Sequence, residues 1–417
     1  MQNKTKQSFV VVGGGVIGLT IALTLQARGV QVLLVDKDTI AAGTSLGNAG
    51  HIATEQVFPI ADPSVLKSLP RMLLDPLGPL RLDWRYLLPI TPWMLRLVSN
   101  MRPRAFAHIH QALTLINAAA LPAWHTFTKQ YQLEDLVKIN GSLLVAEKPQ
   151  TAVKLQQHGE ALNRIGVTNS WLTTAELLER EPLLANNQLG ALFYPNTGHL
   201  VDLAILFTRL QAQFFALGGA VLEHVNVRSI RQRGPDDIFI DSSHGPLLAN
   251  NVVVACGAYA KNLVKGLSGV SVPLETERGY HLMLPAETAR LSVPVSSADR
   301  RFIMTPMNNG LRLAGTVEYA GLTRPPNMQR ARNLLPLANP MLRTALNAQG
   351  NTQWMGFRPT IADSLPVIDK YENCYYAFGH QHLGLTQAPI TAELIAALHF
   401  GEATPIDCSA FSLSRFA

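Results

Sequence analysis

Cysteine is scarce in this chain: Cys256, Cys374 and Cys408 are the only three in 417 residues. None lies in a Cys-x-x-Cys pair, which argues against a zinc site and a disulfide framework and suits a reducing compartment. Charge is thin as well. Only 15% of residues are Asp, Glu, Lys or Arg, below the usual share of about a quarter. Lys and Arg number 35 against 29 Asp and Glu, a mild formal net charge of +6. The basic residues are scattered, so nucleic acid is not an expected partner. An anionic small molecule or a negatively charged membrane surface fits better. No stretch reaches the roughly 18 charge-free apolar residues of a spanning helix. The polar lead, residues 1–8, enters an apolar strand at once, so no signal peptide is read. His and carboxylate pairs at metal-binding spacing are missing, and no metal is expected. Internal repeats and low-complexity tracts are missing too.

What is present begins at Phe9-Val10-Val11-Val12, which runs into Gly13-Gly14-Gly15-Val16-Ile17-Gly18. An apolar-periodic stretch follows, then Gly29, then Val30-Gln31-Val32-Leu33-Leu34-Val35-Asp36. The pattern is strand, glycine turn, helix, strand and terminal acid, which is the context that makes a dinucleotide fingerprint specific. Gly13 permits the tight turn, Gly15 lets a pyrophosphate approach backbone, and Gly18 lets the helix pack close to the sheet. The helix N-terminus aims free N–H groups at phosphate, and Asp36 stands where a carboxylate accepts from ribose hydroxyls.

Beyond Asp36, Gly43-Thr44-Ser45-Leu46-Gly47-Asn48-Ala49-Gly50-His51 is too rich in small residues for an ordinary helix and reads as backbone passed close to a ligand. Residues 61–105 are Pro-rich and read as irregular. Within them Trp84-Arg85-Tyr86-Leu87-Leu88 and Trp93-Met94-Leu95-Arg96-Leu97-Val98 mix aromatic, apolar and basic residues, compatible with a membrane interface or with a helix buried in its own domain. A long helix is expected over 105–132, further helices over 151–165, 174–180 and 203–217, and strands near 142–147, 190–194, 221–230, 238–240 and 251–255. Ala255-Cys256-Gly257-Ala258 is a second small-residue turn. Strand signals dominate 272–320, residues 325–349 read as helical, and the chain ends in a helix after Thr386. Nucleotide elements thus occur at both ends and in the middle. Length and pattern give an α/β protein: a Rossmann-like nucleotide domain from residues 1–80, 195–265 and 350–417, and a discontinuous α+β substrate domain with a mixed sheet from 81–194 and 266–349.

Glycine-bearing elements spread over the whole chain suit FAD, a long ligand whose flavin ring lies far from its adenine, better than a nicotinamide cofactor. The chain resembles the D-amino-acid oxidase-like superfamily of flavoproteins, and within it the bacterial D-amino-acid dehydrogenases. The resemblance rests on the first glycine motif, on Thr44-Ser45 with Asn48-Ala49-Gly50, and on Gly198 to Asp202. It rests also on Ala255-Cys256-Gly257, Gly315-Thr316-Val317-Glu318, Gly356-Phe357-Arg358-Pro359, and Gly379-His380 with Gly384 and Thr386. It departs at Gln381 and Leu385, at His51, and at Arg278-Gly279-Tyr280-His281, so the substrate side chain stays open, with glycine, sarcosine, proline and hydroxyproline among the alternatives.

The resemblance implies FAD held by Gly13, Gly15, Val16, Ile17, Gly18, Asp36, Lys37, Thr44, Ser45, Asn48, Ala49, Gly50, Val227, Cys256, Gly257, Gly384, Leu385 and Thr386. It implies oxidation of a D-amino or imino acid by hydride transfer from Cα to flavin N5, with electrons passed to a quinone or other respiratory acceptor. Oxygen as acceptor, a role as the flavin subunit of a hetero-oligomer, and NAD-linked chemistry are the rivals. Location would be cytoplasmic, with peripheral attachment to the inner membrane compatible with 81–105. Arg358 offers a planar fork for the substrate carboxylate. Tyr280 is a second candidate for that carboxylate. It alternates with His281 along a strand, so at most one of the two should line the pocket. His51 is placed to reach substrate or ring. The N–H groups around Gly384, Leu385 and Thr386 should face flavin C2=O. No general base is evident.

Overall fold

Two helices are apolar on every side, and their burial organises the molecule. Val16–Ala27 reads VIGLTIALTLQA, with ten of its twelve residues buried. A helix without a polar face must be covered on both sides. One side lies on a sheet, and the other meets Gly384–Phe400, which is equally apolar. A third helix, Pro103–Tyr131, closes over them, its Trp124 Nε1–H donating to the carbonyls of Leu385 and Thr386 at 3.2 and 3.0 Å. The computed structural model describes residues 6–63, 72–73, 75 and 77–417. Pro70, Pro76 and the start of the polar lead lie outside the described residues.

Gln7–Val12 is the centre of the first sheet. It runs parallel to Val32–Val35 on one side and to Leu247–Val254 on the other. Ala220–Leu222 extends the sheet in parallel beyond Val32–Val35. Leu247–Val254 pairs with antiparallel Asp237–Ser242 near its start and with parallel Cys374–Phe378 near its end. Strands covered on both faces are unbroken apolar runs, as Phe9-Val10-Val11-Val12 is. Gly18 lies so close to the strand exit that an added Cβ would stand 1.8 Å from the Gly13 carbonyl oxygen.

The second sheet runs Thr352–Ile361, Leu274–Leu284, Gly310–Tyr319, Phe302–Met307, Val295–Ser297, Ser142–Ala146, Gly190–Tyr194, Ser170–Leu172, with Leu80–Leu82 also beside Gly310–Tyr319. Two of its pairings are parallel and the rest antiparallel, so it is mixed. Every residue of Leu274–Leu284 is buried. Leu282 and Leu284 join Leu334, Leu337 and Met341 in one core, while Met283 joins the core of the first sheet. The sheet is therefore covered on both faces. A small third sheet, His51–Ile52, Gly198–Leu200 and Val137–Lys138, links the two halves.

Three expectations shift. Leu87–Ser99 is a regular helix inside the stretch read as irregular. Pro89 falls in its first turn, where no N–H partner is required, and Ile90 and Trp93 bury against Ala362 and Tyr319. The segment 325–349 is mostly not helical: it holds only Gln329–Arg332, Leu334–Ala338 and a 3-10 turn at Asn339–Met341, where Pro340 ends the run. Thr352–Ile361, grouped by sequence with the nucleotide domain, pairs within the second sheet.

The Gly18 contact yields a prediction. Gly18→Ala must push the first helix off the Gly13 carbonyl, at a cost of about 1–3 kcal/mol typical of overpacking. Denaturant titration should show the midpoint falling, while Gly43→Ala, whose Cβ meets nothing within 4 Å, should leave it within error.

Candidate active site

The ends of the parallel strands and the N-termini of two helices face one channel of about 570 Å³, within the range of small-molecule sites. Gly13, Gly15, Val16 and Ile17 line it from the first turn, and Asp36 and Lys37 from the end of the second strand. Thr44, Ser45 and Asn48 line it from the small-residue loop, Val227, Cys256 and Gly257 from the chain's middle, and Gly384 and Leu385 from the last helix. Gly18, Ala49, Gly50 and Thr386 are not on its wall. Gly18 instead seats the helix, Gly50 turns the loop at φ +77°, and Thr386 Oγ1 accepts from the Ala53 N–H at 2.9 Å. A Cβ at Gly13 would strike Ala255 and Cys256 at 2.6–2.7 Å, so backbone forms this wall. Neither Val16–Ala27 nor Gly384–Phe400 has a side-chain hydrogen bond from its N-cap residue. Val16 N–H donates to Ser45 Oγ at 2.9 Å, while the N–H groups that follow it, those opening Gly384–Phe400 and both positive dipole ends suit anionic or carbonyl oxygens. Asp36 is held by N–H donors from Gly14 (2.6 Å) and Asp38 (2.9 Å), and burial raises its pKa. Burial pushes the Cys256 thiol up to about 12, which leaves it a neutral wall residue.

The second sheet grips the loop after Asp36. Thr44 Oγ1 donates to the Phe357 carbonyl and accepts from its N–H, at 2.9 and 3.1 Å. Arg312 donates to the carbonyls of Asn48 (2.6 Å) and Leu46 (3.2 Å), and His281 Nδ1 bonds the Gly47 carbonyl at 2.9 Å. Trp354 stacks on His281 and lies so close to Gly47 that a Cβ there would meet the indole at 2.2 Å. Arg312 and Trp354 went unnoticed in the sequence, where neither carries a motif. Gly47, in the small-residue loop expected to pass close to a ligand, was the only available hint.

Arg358 stands opposite Glu277 on neighbouring strands, next to the paired Gly279 and Gly356, and the Trp354 indole fills the space at Gly356, where a Cβ would meet it at 2.0 Å. Its guanidinium lies across Gly279, where a Cβ would come within 2.4 Å. Nη1 donates at 3.4 Å to the carbonyl of Thr316. Thr316 is the bulge residue between the Gly279–Val317 and Tyr280–Gly315 pairs, and its φ of +61° is unusual for a β-branched residue. Burial lowers the Arg358 pKa, opposed by the Glu277 carboxylate. Glu277 is itself raised by burial and accepts from Tyr319 Oη at 2.8 Å.

Tyr280 projects to the other face of its strand. Its hydroxyl bonds Glu318 Oε2 at 2.5 Å and accepts from the Asn327 N–H at 3.2 Å, so it is not brought to Arg358. The alternation rule decided this: His281, not Tyr280, shares the Arg358 side.

His51 does reach the group around Arg358. Its Nε2 lies 4.0 Å from Glu55 Oε1, and His382 Nε2–H donates to Gln56 Oε1. His51 Nε2 and Glu55 Oε2 are both buried without a hydrogen-bond partner. Burial lowers His51 to about 3, with His199 and His382 adding to the effect, and raises Glu55 to about 7. His382 lies near Arg358, which adds to desolvation in lowering it to about 4. His380 is buried, bonds Thr391 Oγ1 at 3.0 Å and serves the packing of the last helix. Glu55 has no motif around it and escaped notice.

Residues 8–398 match the sequence model of the DAO family, described as FAD dependent oxidoreductase. The chain is 30% identical to a D-amino-acid oxidase of Bradyrhizobium diazoefficiens, over 97% of this chain and 98% of the relative. It is 26% identical to a D-amino acid dehydrogenase of Vibrio vulnificus, over 94% of this chain and 96% of that one. Among solved structures, glycine oxidase from Geobacillus kaustophilus superposes with a TM-score of 0.76 at 23% identity, covering 99% of each chain. L-proline dehydrogenase from P. horikoshii gives 0.72 at 20% identity, covering 99% of this chain and 98% of that one. These two structural likenesses establish a shared fold.

The neutral histidines make acid stability a test. His51, His281 and His380 are lowered to about 3, and His199 and His382 to about 4, each chiefly by burial. Their unfolded value is 6.5. Between that value and the lowered ones the unfolded chain binds protons that the folded chain does not. Stability is therefore full above pH 6.5 and lost as pH falls toward 4. Urea midpoints should drop steeply over that interval, and His380→Gln should flatten the slope by about one proton.

Proposed function

Because the chain belongs to the DAO family of FAD-dependent oxidoreductases, we propose that it oxidises the Cα–N bond of a D-amino or imino acid. FAD supplies the hydride-accepting ring when bound, and the residues present fit it. The glycine turn and the Val16–Ala27 N-terminus would hold the pyrophosphate, Asp36 the ribose, and the Gly384–Phe400 N-terminus the carbonyl edge of the ring. One observation carries the substrate reading: a guanidinium lying across Gly279, on the strand whose Met355, Gly356, Phe357 and Pro359 line the channel. Arg358 would bind both carboxylate oxygens and fix Cα, while the surrounding neutral histidines avoid competing cations. Gly279 gives the guanidinium its room, and Gly356 that of the Trp354 indole. His51 and His382 would shape the substrate side of the cavity and help to exclude water.

Arg358→Leu should raise KM at least 100-fold, consistent with loss of a charged hydrogen-bonded pair of about 3 kcal/mol, and keep the flavin content. Anaerobic flavin bleaching against D-amino acids, glycine, sarcosine, proline and hydroxyproline isomers identifies the substrate. If nothing in the panel bleaches the flavin, the reading fails.

The acceptor reading is a quinone at a membrane. Among the described residues no helix is long and apolar enough to cross a membrane. Leu87–Ser99 instead carries a second apolar side. Leu88 is 85% exposed and Leu95 67%, in line with exposed Trp84 and Val98 at helical spacing. Exposed Arg85, Arg96, Arg102 and Arg104 flank this stripe, and the nearby Asp83 is paired with Arg324 at 3.3 Å. An apolar stripe with a basic rim suits anionic lipid. Replacing Leu88 and Leu95 by Ser should abolish cosedimentation with anionic vesicles and leave turnover with a soluble dye intact. The names of the relatives divide between oxidase and dehydrogenase. Oxygen uptake measured with and without quinone separates the two acceptors.

A further inference from the structure

We propose that Glu55 accepts the proton that the substrate's ammonium group must lose before oxidation, beside a neutral His51. The proposal rests on the amino-acid reading above. An ammonium nitrogen has no lone pair, so it cannot form the C=N bond as hydride leaves Cα. With the carboxylate held by Arg358, the site still has to provide a proton acceptor for the nitrogen.

The titratable groups around Glu55 and His51 narrow the choice. Tyr194 comes from the strand Gly190–Tyr194 and His199 from Gly198–Leu200, with Lys138 behind it. His382 precedes the last helix, with Arg358 beyond it. Burial keeps Tyr194 protonated, Lys138 and Arg358 are cations, and the histidines are poor bases because burial disfavours their charged form. Three other carboxylates lie on the strands Leu274–Leu284 and Gly310–Tyr319, and Glu275 accepts from Tyr86 Oη at 2.9 Å. Glu277 accepts from Tyr319 and faces Arg358. Glu318 is bonded by Tyr280 and lies 3.6 Å from Arg278 on the opposite face. Among the described residues only Glu55 keeps a buried carboxylate oxygen without a hydrogen-bond partner, with His51 Nε2, also unpartnered, 4.0 Å from its other oxygen. Gln56, next in the chain, bonds His382 and so joins Glu55 to the Arg358 side. Desolvation raises the Glu55 carboxyl to about 7, a value suited to exchanging protons with substrate near neutrality.

The step balances without a further reactant. An N–H bond of the ammonium breaks and an O–H bond forms on Glu55, leaving a neutral amine and a neutral carboxyl. The freed nitrogen lone pair can then close the C=N bond as hydride leaves Cα, for which bound FAD would supply the two-electron acceptor. Glu55 returns its proton to water once product leaves.

The test is Glu55→Gln and Glu55→Asp in the flavin-loaded enzyme, using whichever amino acid bleaches the wild-type flavin fastest. For the wild type, the rate of anaerobic flavin reduction at low substrate should fall on the acid side of about pH 7. In Glu55→Gln that limb should vanish, the profile should climb toward the amine's own pKa, and the rate at pH 7 should drop about 100-fold. Glu55→Asp should recover part of the rate. Benzoate, which carries a carboxylate and no amine, should perturb the flavin spectrum with unchanged affinity in all three. Infrared titration without substrate should show a protonated-carboxyl band lost near pH 7 in the wild type and missing in Glu55→Gln. An unchanged profile in Glu55→Gln overturns the proposal, as does a rate loss confined to substrates with basic side chains. Failure of every amino or imino acid to reduce the wild-type flavin overturns the functional reading itself, a result distinct from either.

Discussion

The structure depends on one close approach, that of the helix Val16–Ala27 to the carbonyl of Gly13. A side chain at Gly18 would occupy that oxygen's place. With hydrogen there, an all-apolar helix lies flat on the sheet and its N-terminus faces the channel. The same contact fixes where the last helix packs, since Gly384–Phe400 covers the other side of Val16–Ala27. Two helix N-termini then face a single long cavity. The apolar burial is non-directional. The glycine contact gives it direction.

The site is shared between two sheets, and an edge strand joins them. Thr352–Ile361 pairs with Leu274–Leu284 through ten residue pairs, yet its outer edge is clamped to the loop after Asp36 through Thr44. Its Met355, Gly356, Phe357 and Pro359 border the channel, and the Arg358 guanidinium lies across Gly279. One strand thus sets the distance between the channel and the Arg358 guanidinium. Hydrogen-bond ladders are stiff, so this distance is pre-organised.

Electrostatically the site is dry and sparing of charge. Histidines are held neutral by desolvation, and the cation Arg358 is balanced by Glu277 one strand away. That balance lets an arginine be buried at tolerable cost and keeps it ready for a second anion. It also explains why a carboxyl such as Glu55 can sit near neutrality in its pKa: few neighbouring cations stabilise its charge, and water is scarce. The price is acid lability, since each neutral histidine is a proton the fold refuses.

The sequence by itself determined the nucleotide-binding half, because its determinants are local. Gly13, Gly15 and Gly18 act within one turn, Asp36 ends the adjacent strand, and the apolar periods of the two buried helices are visible in order. The Gly356-Phe357-Arg358-Pro359 segment singled out Arg358 in the sequence, and strand pairing sets it opposite Glu277. The tertiary structure decided what depends on strand pairing across long separations. Pairing placed Tyr280 away from Arg358, put Thr352–Ile361 in the second sheet, and brought Trp354 over Gly47 and Arg312 under Asn48. Glu55 carries no motif, and its meaning comes only from burial beside His51 and from an oxygen left without a donor. Periodicity assigns side chains to faces of one segment, but which segments meet, and so which polar atoms lose water, is set by the packing of the whole chain.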